Sequence, residues 1–159
     1  MEHKSRIGVI GPGTAGVETL AVAEEVGLEI ARQGAVLVCG GLGGIMEAAA
    51  RGAKRAGGLT IGIVPGTTAQ EANEFIDVPV VTGMGEARNV LVVRSSNAVI
   101  AIAGSYGTLS EIALALKMGV PVVGLGTWLL QAPDGSEPPI VRASSPQQSV
   151  AQALEVVRS

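Results

Sequence analysis

Apolar residues fall along this chain in short runs, each closed by a glycine-rich break and most followed by a longer stretch with helical spacing. Ile7 to Ile10, Ala35 to Cys39, Thr60 to Val64, Val78 to Val81, Ala98 to Ile102 and Val120 to Leu125 read as strands. Unbroken apolar runs of this length suit strands covered on both faces. Helices are expected over residues 15–33, 45–56, 86–95 and 108–118. Leu20, Val26, Leu28 and Ile30 give the first an apolar face, and Gly34 stops it. Residues 67–77 are polar and loop-like, and Gln131 to Pro139 form an exposed loop that returns as a short strand at Ile140 to Val141. Ser145-Pro146 then caps a last amphipathic helix ending near Arg158. The alternation predicts one Rossmann-like, doubly wound α/β domain over residues 1–159, with a mainly parallel sheet of about six or seven strands.

Such sheets bind ligands beyond the carboxyl ends of their strands, at the point where strand order reverses. Three glycine turns lie at strand ends: Gly11-Pro12-Gly13-Thr14-Ala15-Gly16, Gly40-Gly41-Leu42-Gly43-Gly44 and Ala103-Gly104-Ser105-Tyr106-Gly107-Thr108. Bare backbone admits close approach, and a helix N-terminus offers unpaired N–H groups to an anion. Three such turns in one small chain point to a pocket for a phosphorylated small ligand.

Composition narrows the classes. Hydrophobic residues make up 47% and aromatics 2%, so the core is built from Val, Ile, Leu and Ala. Net charge is −3 and the 11 basic residues form no run longer than a pair, so neither nucleic acid nor an anionic membrane is an expected partner. Cys39 is the sole cysteine and His3 the sole histidine, which allows no intrachain disulfide and leaves no zinc-type cluster. A Ser-His-Asp hydrolase would have to recruit His3. The leading MEHKSR runs straight into a strand, and no apolar stretch of about 18 residues occurs, so a cytoplasmic location is expected.

The first turn satisfies GxGxxG, and an NAD enzyme is the obvious reading. The full fingerprint wants an acid at the end of the second strand to hold the ribose. Here that strand ends Val38-Cys39-Gly40-Gly41, without one. No GxxxxGK[ST] occurs either, which excludes a P-loop NTPase. Tight strand-to-helix packing remains the competing explanation of the first turn. Glu111 follows Gly107-Thr108 at GTxxE spacing, placing it in the first turn of a helix, where it either complements the dipole or faces the pocket. Arg88 begins the preceding helix and is either a surface arginine or a pocket cation, with Asn89 beside it. Arg94 should point elsewhere and form a surface pair.

The segment Met84-Gly85-Glu86-Ala87-Arg88-Asn89, taken with Ala103 to Glu111, resembles the Lonely Guy (LOG) family and its relatives. These carry an arginine in a short segment, then PGGxGTxxE at the spacing seen from Arg88 onward. Their GG-x-GG-x-M turn is similar to Gly40-Gly41-Leu42-Gly43-Gly44-Ile45-Met46, so the resemblance covers about residues 6 to 126. It implies Arg88 and Glu111 as the catalytic pair of a nucleoside 5′-monophosphate phosphoribohydrolase. The implied phosphate and nucleotide contacts are Gly11, Gly13, Thr14, Gly40, Gly41, Gly43, Gly44, Met46, Asn89, Gly104, Ser105, Tyr106, Gly107 and Thr108. Ala103-Gly104-Ser105 departs from Pro-Gly-Gly, and the GPGTAGVE run is more similar to the branch holding the molybdenum-cofactor carriers. That branch implies a non-catalytic carrier of a phosphorylated pterin. Under either reading no resident cofactor or metal is required; the bound molecule is a nucleoside monophosphate or the molybdenum cofactor. The resemblance also implies a homodimer or higher homo-oligomer.

Overall fold

The computed structural model describes residues 1–159. Its strands are β1 (Arg6–Ile10), β2 (Val36–Cys39), β3 (Thr60–Val64), β4 (Val78–Val81), β5 (Ala98–Ile102), β6 (Val122–Leu125) and β7 (Ile140–Arg142). They form one seven-stranded sheet in the order β4-β3-β2-β1-β5-β6-β7, with every pairing parallel. Strand order reverses between β1 and β5, whose register pairs Ile7 with Ala98.

The helices are α1 (Val17–Arg32), α2 (Ile45–Arg55), α3 (Asn89–Arg94), α4 (Tyr106–Met118) and α5 (Pro146–Arg158). Alternate strand residues divide between two cores, as the two-residue period of a strand requires. Ile7, Val9, Leu37, Ile100 and Ile102 pack with α1, α2 and α5. Ile10, Val38, Val99 and Ala101 pack with α3 and α4. No helix is long and apolar enough to cross a membrane.

Two helices begin differently from expectation. The stretch expected as a helix over 86–95 is a 3-10 turn at Gly85–Arg88 followed by the short α3. The α4 helix starts at Tyr106 rather than Thr108, because Ser105 caps it: its hydroxyl accepts the Thr108 N–H while its own N–H reaches the Thr108 hydroxyl. That moves Glu111 from the first helical turn, where the spacing had put it, to the sixth position of α4. Arg94 is exposed and forms no ion pair; the surface pairs are made by Arg51 and Arg55 with Glu24, and by Lys54 with Asp77.

Candidate functional site

Beyond the carboxyl ends of β1, β2, β3 and β5 lies a cavity of about 690 Å³, at the point where strand order reverses. Ligand pockets commonly enclose some 300–1,000 Å³, so a drug-sized or nucleotide-sized molecule is accommodated. One wall is the turn from β5 into α4. Ala103 has φ +54°, the single non-glycine residue with positive φ, and the Thr127 hydroxyl donates to its carbonyl. Gly104 cannot carry a side chain, since a Cβ would lie 2.6 Å from the Trp128 indole nitrogen. That nitrogen donates to the Ser105 carbonyl at 3.1 Å. The Ser105 and Thr108 hydroxyls are spent on capping α4, which leaves the N–H groups of Tyr106 and Gly107 without an intrahelical acceptor.

Arg88 forms the opposite wall. Its Nε donates to the Ile63 carbonyl at 2.8 Å, one terminal nitrogen to Asn89 Oδ1, and the other to the Gly40 carbonyl at 3.4 Å. Three of its five N–H groups are thus fixed by the ends of β2 and β3 and by its neighbour, and two remain for a ligand. Asn89 is buried and passes the linkage on: its Nδ2 donates to Ser110 Oγ at 3.2 Å, which donates to the Gly107 carbonyl at 2.7 Å. The guanidinium and the first turn of α4 are therefore held to one another through side chains.

Glu111 lines the cavity at 8% exposure, and its carboxyl makes no hydrogen bond or ion pair. Burial pushes its carboxyl up to about 7, against the opposing pull of Arg88. Beneath the floor, Cys39 is fully buried, and burial pushes its thiol up to about 11.

Of the residues singled out in the sequence, Gly11, Gly13, Gly40, Met46, Arg88, Asn89, Ser105, Tyr106, Gly107, Thr108 and Glu111 line this cavity. Thr14, Gly41, Gly43, Gly44 and Gly104 do not. Thr14 is exposed, the Gly41 carbonyl accepts from Asn73, and Gly44 packs on the backbone of Pro12 and Gly13. Leu42, Pro65, Ser110 and Leu114 join the lining without having been singled out. Pro65 was recoverable from its place just after a parallel strand, and Ser110 and Leu114 from helical spacing after Gly107. Leu42 lay within the second glycine turn, but as its one residue with a side chain it was not itself read as a contact.

The family model of the SLOG cluster4 family matches residues 4–155. The chain belongs to that family. It sits in the LOG-like superfamily beside the molybdenum-cofactor carriers, as the sequence resemblance implied. The molybdenum cofactor binding protein of the phototrophic bacterium Rippkaea orientalis is 39% identical, with a TM-score of 0.88 and full coverage of both chains. The molybdenum cofactor carrier protein of Chlamydomonas reinhardtii is 36% identical, with a TM-score of 0.86 over 99% of this chain and 100% of the other. An uncharacterized protein of Archaeoglobus fulgidus is 52% identical over 120 residues, which are 76% of this chain and 79% of that relative.

Proposed function

We propose that this chain binds a phosphorylated heterocyclic molecule of the molybdenum-cofactor class in the cavity and carries it without chemical change. The observation that carries this reading is the arrangement of the walls. The free N–H groups of Tyr106 and Gly107, at the positive end of α4, share one cavity with the two unused N–H groups of Arg88. A phosphate placed at that helix end meets donors already fixed in position, and fixed donors lose little freedom on binding. The carrier and binding proteins of the same fold, 36–39% identical over essentially the whole chain, support the same assignment. The donor set suits a phosphorylated pterin held through its phosphate. It supplies no thiolate to a metal, because Cys39 is sealed beneath the floor.

A second reading, hydrolysis of a nucleoside 5′-monophosphate to base and ribose 5-phosphate, is favoured by Glu111. A carboxyl that burial pushes up to about 7 is suited to giving a proton to a departing base or taking one from water. One experiment separates the two. The protein is titrated calorimetrically with AMP, GMP and molybdenum cofactor released from a molybdoenzyme, and the AMP and cytokinin monophosphate mixtures are assayed for ribose 5-phosphate. Saturable binding without product supports the carrier. Product formation that Glu111→Gln abolishes while binding persists supports the hydrolase. Neither binding nor product would sink both.

A further inference from the structure

We propose that Tyr106, backed by Trp128, is an aromatic platform on which the cavity seats a planar fused ring of the purine or pterin class. This rests on the reading of the cavity as a phosphorylated-ligand site and names the part of the ligand that the polar walls leave unrecognised. The chain has one Phe, one Tyr and one Trp in 159 residues, and two of these three stack on each other at the cavity. Their ring centroids are 6.1 Å apart and their planes 28° from parallel. Tyr106 lines the cavity yet is 83% exposed, so folding gains little from its ring. Trp128, by contrast, is half-buried against the core beneath α3 and α4 and is anchored by its bond to the Ser105 carbonyl. The anchored indole therefore lies beside the tyrosine ring at stacking distance while most of that ring stays open to the cavity and solvent.

An exposed aromatic ring beside an anchored neighbour suits stacking with a further flat ring. The geometry combines two contacts in one residue. The Tyr106 N–H belongs to the anion-binding end of α4, and its ring extends from the same Cα. A ligand whose phosphate and heterocycle are joined by a short linker engages both.

Trp128 is the single tryptophan, and its fluorescence reports events on the adjoining ring. Wild type, Tyr106→Ala and Tyr106→Phe are each titrated with GMP and with ribose 5-phosphate, which has the phosphate and no ring. Wild type is expected to bind GMP more tightly and with a change in Trp128 emission. Tyr106→Ala is expected to weaken GMP roughly tenfold or more, leaving ribose 5-phosphate unchanged, while Tyr106→Phe retains GMP affinity. Equal effects of Tyr106→Ala on the two probes, or none on GMP, overturn the platform and leave the phosphate site standing. If wild type binds neither probe, the underlying reading of the cavity fails as well.

Discussion

The turns after β2 and β5 stand at the same edge of the sheet, end equally buried strands and open helices, yet they are built by opposite means. In the Gly40–Gly44 turn, close packing excludes a side chain at three positions: Gly40 lies against Met46 and Arg88, Gly41 against Val64, and Gly44 against the backbone of the first turn. Gly44 has φ +62° and ψ −128°, and a Cβ there would lie 2.3 Å from the Gly13 carbonyl carbon. In the Ala103–Thr108 turn, side chains impose the shape. Thr127 holds the Ala103 carbonyl, Trp128 holds that of Ser105, and Ser105 and Thr108 cap each other. The lesson is that a glycine run at a strand end is not in itself a ligand cradle. Gly44 in the richer turn serves packing and lies outside the cavity lining, whereas the turn poorer in glycine contributes more of the cavity wall.

The contrast is broken most directly at Gly44. Gly44→Ala places a methyl into backbone in a conformation that only glycine adopts easily, so a loss of about 3 kcal/mol or more is expected in urea unfolding. A loss below ~1 kcal/mol would mean the turn yields and the packing account is wrong.

The next largest effect belongs to Glu111, on the helix that the second turn opens. Its carboxyl is raised from 4.5 to about 7, so the folded chain holds that proton more tightly than the unfolded chain. The associated stability is complete below pH 4.5 and is lost as pH rises through about 7. At ~1.4 kcal/mol per tenfold in proton affinity, the ionised form costs roughly 3 kcal/mol. Glu111→Gln should thus gain on wild type between pH 5 and pH 8, followed as Tm against pH. Parallel curves would refute the buried, unpaired carboxyl.

The smallest effect is expected at Ala103. Ala103→Gly relieves about 1–2 kcal/mol of left-handed strain. It also removes a methyl packed against the larger core and frees the unfolded chain. The sum should fall within ~0.5 kcal/mol of wild type in the same urea experiment. A large change in either direction would mean the side-chain pins do not set this turn.

Much of this was legible beforehand for identifiable reasons. Strand–helix alternation and the rule that ligands sit at carboxyl ends located the cavity, because both follow from short-range pattern and parallel topology. The Arg88–Glu111 spacing selected two of its walls. The position of Glu111 along α4 was misjudged by two residues because a Ser105–Thr108 capping box, rather than Thr108 itself, begins the helix. Trp128 and Thr127 were not linked to the third turn, since they lie more than twenty residues downstream and meet it only through the β5–β6 pairing. The inward packing of Gly44 depended on the first turn, which no local reading of the second could supply.

The placing of β1 between β2 and β5 has a consequence for how the protein comes into being. The β1 strand is made first, but its β5 neighbour emerges from the ribosome some ninety residues later. Until then the early strands can zip from β1 through β4, leaving one flank of β1 open and the cavity with only half its walls. Closing that flank requires a long-range contact, the kind that slows folding and leaves an apolar strand edge exposed in the meantime. Ligand affinity is therefore a property acquired late in synthesis, at the moment the two halves of the chain meet.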